Sequence, residues 1–134
     1  MDRPKVGLGV IILKENKVLL LKRKGSHGSG EWSFPGGHLE YFETFEECAE
    51  RETREETGLE VKVIKKSPVA VTNDFFEKED KHYVTLYLEA EYRLGEPKNL
   101  EPEKCSEIGW FDWNNLPAPL FLPIQNLIKQ KYVI

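Results

Sequence analysis

The chain has 134 residues, 40% of them hydrophobic and 31% charged, with a formal net charge of -4. That length and balance predict one domain over residues 1–134 with enough chain to bury a core. The acidic surplus argues against coating a nucleic acid polymer, which needs a basic surface. The opening run MDRPKVGLGVIIL is too short to span a bilayer and lacks a cleavable leader pattern, so the expected setting is the cytoplasm, without membrane contact. Cys48 and Cys105 have neither a disulfide framework's number nor metal-ligand spacing.

In chain order, Val6 to Leu13 reads as a buried strand and Lys17 to Arg23 as its hairpin partner across Glu15-Asn16. A glycine-rich loop, Gly25 to Gly30, follows without the Gly-Lys-Ser/Thr ending of a Walker A motif. Arg23 just before it is a candidate bidentate partner for a substrate phosphate. Trp32 to His38 reads as a loop in which Pro35-Gly36-Gly37 lets the backbone approach a ligand closely, with His38 a candidate contact.

From Thr44 to Thr57 the residues are good helix formers, and Gly58 is a natural stop. Phe45, Cys48 and Ala49 set an apolar stripe, and Glu52 and Glu56 fall within roughly 20° of its centre at helical spacing. Glu55 lies at the stripe's edge, and Thr53 falls at the other edge, roughly 80° from Phe45. Carboxylates at i,i+4 on a core-facing stripe need protonation or a cation. Three of them on one turn suit a hard divalent ion, Mg2+ or Mn2+. Arg51 is expected to pair with Glu47 and Glu55 and so to orient the latter.

Farther along, Glu60 to Lys65 and Pro68 to Thr72 read as strand segments, and Asn73 to Lys81 as a charged hairpin loop. His82 to Tyr92 alternates clearly as a strand, Leu94 to Ser106 is a polar loop, Ile108 to Trp113 a short aromatic strand, and Phe121 to Tyr132 a closing helix with Pro123 in its first turn.

Gly37, Glu43, Arg51, Glu52, Glu55, Glu56, Gly58 and Leu59 carry a resemblance to the Nudix box, G-x5-E-x7-R-E-U-x-E-E-x-G-U with U a bulky aliphatic residue; Thr53 is the one departure. The resemblance implies an α/β/α sandwich with a mixed central sheet, a catalytic loop-helix and a C-terminal helix. It implies hydrolysis of a nucleoside diphosphate linked to another group. Glu52, Glu56 and the Gly37 carbonyl would be metal ligands, Glu55 a third ligand or base, Glu43 an auxiliary orienter, and Arg51 the group that holds the carboxylates. Because a solvated glutamate is a weak base at neutral pH, an alkaline activity optimum is expected.

Beyond the box, FEKE--HYVT, EPKN-EPEK and W--W--LP are similar to the MutT-homologue nucleotide triphosphate diphosphatases of animals and their plant and microbial relatives. That similarity implies a small-molecule purine nucleoside triphosphate as substrate, normal or oxidised, and a homodimer. It also implies a phosphate contact for Lys104 and base-pocket roles for Phe111 or Trp113, which packing explains equally well. Such relatives can add a carboxylate just before the residue matching Trp110; this chain has Gly109 there and Glu107 two residues earlier. Two alternatives stand: a pyrophosphatase for dihydroneopterin triphosphate, ADP-ribose or a nucleotide sugar, and a non-catalytic nucleotide sensor.

Overall fold

A computed structural model describes residues 2–25 and 27–134; Met1 and Ser26, the latter inside the glycine-rich loop, lie outside the described residues. Its spine is a pair of long strands, β1 (Lys5–Lys14) and β7 (Lys81–Leu94), paired in parallel from Lys5 opposite Tyr83 to Leu13 opposite Glu91. All other pairings between named strands are antiparallel, so the sheet is mixed. On one side of β1 lie β2 (Lys17–Arg23), joined through the hairpin, and β4 (Gly36–His38), while β2 carries β3 (Trp32–Ser33) and β8 (Cys105–Asp112). The outer edge of β7 is shared by β5 (Glu60–Val63) toward its end and β6 (Ala70–Phe76) toward its start.

The two-residue alternation of these strands separates two cores. Leu8, Val10, Ile12, Leu88 and Ala90 face α1 (Phe45–Thr57), packing on its Cys48 and Ala49. Ile11, Val18, Leu20 and Tyr87 face the other way, onto Ile124 and Leu127 of α2 (Leu122–Lys129). The α/β/α sandwich and mixed sheet expected from the sequence are therefore present.

Helix α1 begins where its capping chemistry dictates. The Thr44 hydroxyl accepts from the Glu47 amide at 3.0 Å, and the Glu47 carboxylate accepts from the Thr44 amide at 2.9 Å. It ends at Gly58, whose φ of 73° is left-handed and disfavoured for other residues.

Several boundaries differ from the sequence reading. Trp32 to His38 contains β3 and β4 rather than loop alone. Asn73 to Phe76 is strand, because Thr72 and Asp74 point inward and continue the alternation; the turn starts only at Glu77. The last strand starts at Cys105 and buries that thiol, and α2 is shorter than expected, Leu122–Lys129.

Thr53 is not at the edge of the buried face but fully inside it, and its hydroxyl has no partner among the described residues. A buried hydroxyl without a partner destabilises by roughly 1–3 kcal/mol. Thr53→Val keeps the shape and removes the polar group, so we expect stabilisation of about 1–2 kcal/mol. The check is a higher urea midpoint with an unchanged slope; a lowered midpoint would mean that the hydroxyl is satisfied.

Candidate functional site

Arg51 is the hub of the acidic helix. Its Nε donates to Glu43 at 2.7 Å, Nη2 to the other oxygen of Glu43 at 3.0 Å, and Nη1 to Glu52 at 2.8 Å and Glu55 at 3.3 Å. Glu40 adds an ion pair at 3.4 Å. The Arg51 guanidinium holds the Glu43 carboxyl down to about 2, and those carboxylates in turn push the Arg51 pKa up. The expected pairing of Arg51 with Glu47 does not form, because the Glu47 carboxylate closes the helix cap.

One turn farther on, α1 meets the backbone of β4. Glu56 accepts from the Gly36 amide at 2.7 Å, and a Cβ on Gly37 would sit 2.5 Å from the Glu52 carboxyl carbon. A side chain at Gly37 would press on the Glu52 carboxylate, and one at Gly36 would collide with the Leu8 carbonyl of β1, which accounts for the paired glycines. Burial pushes the Glu56 carboxyl up to about 8, reinforced by the negative charges of Glu52 and Glu101 against the Gly36 amide and Arg23. Glu52 is raised as well, again mainly by burial. Glu55 stands half exposed beside them.

A cavity opens on the far side of β4. Its end toward the acidic helix is bordered by Glu56, Gly36, Gly37, Arg23 and His38. Its other end is aromatic: the His27 ring lies 4.6 Å from Phe76 and 5.4 Å from Phe121, and Tyr83 stacks 5.6 Å from His38. Arg23 spans the two ends, with its guanidinium 4.0 Å above the Phe121 ring and its Nε donating to the His27 carbonyl at 3.0 Å. Burial lowers its pKa. Gly7 and Gly9 of β1 form part of the cavity lining, where larger side chains would fill the space.

The sequence-derived candidates thus divide. Glu43, Arg51, Glu52, Glu55, Glu56 and Gly37 form one cluster, and Arg23 and His38 share its cavity. Phe111 and Trp113 instead pack in the core beneath α2, Phe111 against Trp32 at 4.9 Å and Trp113 against Tyr132 at 5.6 Å. Lys104 is exposed on the approach to β8 and does not border the cavity. Glu107 pairs with Lys22 at 3.3 Å on the surface, so the extra carboxylate felt by Glu52 and Glu56 comes from Glu101. Sequence reasoning missed Tyr83, Thr85 and Phe121 as cavity residues. Glycines at alternate positions of an apolar strand, Gly7 and Gly9, were the available signal of a close approach.

Among the described residues no three acidic, histidine or cysteine side chains converge as a finished ligand cage. The donors nonetheless fit a hard divalent cation. Glu52 and Glu56 are carboxylates with raised pKa against a glycine backbone, and Glu55 is one position away. Oxygen donors of this kind suit Mg2+ or Mn2+ rather than a thiophilic metal.

The NUDIX domain matches residues 3–131 of the chain. The chain belongs to the Nudix hydrolase family. Nudix hydrolases are pyrophosphohydrolases that act on small nucleotide substrates and generally use divalent metal ions. The crystal structure of a MutT NUDIX hydrolase from Burkholderia pseudomallei matches with a TM-score of 0.86 at 30% identity, covering 98% of this chain and 100% of that one. A Methanocaldococcus jannaschii protein named ADP-ribose pyrophosphatase is 39% identical over 88% of this chain and 68% of its own length. A Danio rerio protein named oxidized purine nucleoside triphosphate hydrolase is 30% identical over 81% of this chain and 66% of its own length. The chain spans 40% of the Chromobacterium violaceum NAD-capped RNA hydrolase NudC, at 34% identity. No helix among the described residues is long and apolar enough to cross a membrane.

The raised Glu56 pKa has a definite sign in stability. Its folded value of about 8 lies above the ordinary 4.5, so the stabilisation it contributes is complete below 4.5 and disappears as pH rises through about 8. In chelator, wild type should lose stability relative to Glu56→Gln over that window, and added Mg2+ should restore it. Melting temperatures of both proteins across pH check this; a pH-independent difference would mean that Glu56 is ionised throughout.

Proposed function

We propose that the chain hydrolyses a purine (deoxy)nucleoside triphosphate, normal or oxidised, to the monophosphate and pyrophosphate. The observation that carries the reading is continuity: the aromatic end of the cavity, the Arg23 guanidinium and the half-buried Glu56 lie along one cleft. A flat base suits the aromatic end, where ring faces and edges supply contact. The polyphosphate then runs past Arg23 toward the acidic helix.

In this reading Glu52, Glu56 and the Gly37 carbonyl hold a divalent cation, Mg2+ with Mn2+ as substitute. When bound, such a cation offsets phosphate charge and lowers the pKa of attacking water. Arg51 acts as the positioning group, fixing Glu52 and Glu55 through its fork while Glu43 anchors it from behind. Glu55, half exposed and held by Arg51, accepts the proton of the attacking water. The water oxygen bonds to phosphorus as a P–O–P bridge breaks, and pyrophosphate leaves. His38 borders the same cleft and contacts the phosphate or sugar. The proposal includes one domain over residues 1–134, a cytoplasmic setting and a homodimer.

A second reading has specific support. The relative named ADP-ribose pyrophosphatase shares 39% identity over 88% of this chain, so ADP-ribose is the main competing substrate.

The test is a turnover screen with Mg2+ or Mn2+ on nucleoside triphosphates, oxidised guanine triphosphates and ADP-ribose, with separate detection of phosphate and pyrophosphate. We expect pyrophosphate from purine triphosphates, with the rate falling roughly a hundredfold or more in Glu56→Gln. Preferential cleavage of ADP-ribose would transfer the assignment to the second reading. Gly7→Ala probes the cavity separately. Its added methyl meets nothing nearer than Tyr83 at 3.6 Å, so folding should be unaffected while KM rises several-fold. An unchanged KM would place the nucleotide elsewhere.

A further inference from the structure

Asp74 is a fully buried acid that the reaction above does not use. It sits on β6 between the sheet and α2. Its Oδ2 accepts from the Thr72 hydroxyl at 3.1 Å and the Thr85 hydroxyl at 2.5 Å, and its Oδ1 accepts from the Asn126 side-chain amide at 2.9 Å. Among the described residues it has no ion pair with Lys, Arg or His. The Asn126 amide ties Asp74 to α2, and the Thr72 hydroxyl also meets the Tyr87 hydroxyl at 3.0 Å. Thr85 differs, because it also borders the cavity, with its Oγ1 3.9 Å from the point where a Cβ on Gly7 would stand.

A threonine hydroxyl has one proton and two lone pairs. The proton of Thr85 is committed to Asp74, so only its lone pairs remain for the cavity. Most other polar groups there can take either role: Tyr83 and His38 share a hydrogen bond at 3.2 Å whose direction depends on the histidine tautomer. We propose that Thr85, with its proton held by buried Asp74, is a fixed hydrogen-bond acceptor that makes the cavity select nucleotides whose base presents an N–H donor to it. Thr85 is the specificity-determining residue and Asp74 its positioning residue. An analogue without the donor leaves the acceptor buried and unpaired, which is how a polar site rejects a near-isostere. The proposal rests on the nucleotide reading of the cavity.

The experiment compares two purine pairs that differ by one amino group, ATP against purine riboside triphosphate and GTP against inosine triphosphate. Wild type should favour the amino-bearing member of at least one pair by about tenfold in kcat/KM. Thr85→Val should compress that ratio toward one, and Thr85→Ser should keep it. Asp74→Asn, whose amide can donate to Thr85 and release its proton, should weaken or reverse the preference; melting curves verify that each variant is folded. The four corresponding monophosphates, titrated by calorimetry, read the same discrimination without turnover. Absence of pyrophosphate release with discrimination intact in calorimetry would therefore sink the diphosphatase reading and spare this one. Equal treatment of both pairs in wild type, no binding of any monophosphate, or a preference that survives Thr85→Val overturns it.

Discussion

Two carboxylates on the buried face of a helix, pressed against a backbone with no side chains to cushion it, are the constraint to which the rest of the molecule answers. Glu52 and Glu56 occupy positions where an apolar residue would add to the core, and Gly36 and Gly37 are glycines because a Cβ would meet Leu8 or the Glu52 carboxyl. Removing a negative group from water without a partner is unfavourable by several kcal/mol. The protein supplies only part of the compensation, through the Gly36 amide, the Arg51 fork and the distant charge of Arg23. The remaining deficit is what the proposed divalent cation would offset.

Arg51 keeps that deficit from becoming disorder. Its five N–H groups form a rigid fork, and Glu43, Glu52 and Glu55 take up most of it. A lysine would carry the same charge but could not hold three carboxylates in fixed directions. The capping box at Thr44 and Glu47 serves the same end, because it sets where the helix starts and hence which residues face β4.

Much of this was legible in the sequence. Spacing alone put Glu52 and Glu56 on the core side of a helix and gave that helix its Gly58 stop, since helical periodicity is a local property. What escaped depended on chain segments far apart. Phe111 and Trp113 resembled pocket residues, but whether an aromatic ring faces a cavity or a core is set by the register of β8 against β2. Glu101 reaches the acidic pair from a loop whose path no local pattern encodes. Asn73 and Asp74 read as a turn because both residue types favour turns; the three donors that keep Asp74 in the sheet come from Thr72, Thr85 and Asn126.

Strand β7 gives the pleat a further meaning. Its even positions, Leu86, Leu88 and Ala90, pack toward α1 and hold the acidic helix, whereas its odd positions, Tyr83, Thr85 and Tyr87, line the cavity on the opposite face. Neighbouring residues on one strand therefore answer to different demands, although the cavity still reaches the acidic helix at Glu56. Replacements at the odd positions can remodel what the cavity accepts while the layer that supports the acidic helix stays as it is. A fold arranged in this way lets the aromatic end of the cavity drift while the support of the acidic helix stays, and the alternation of a single strand is enough to divide those tasks.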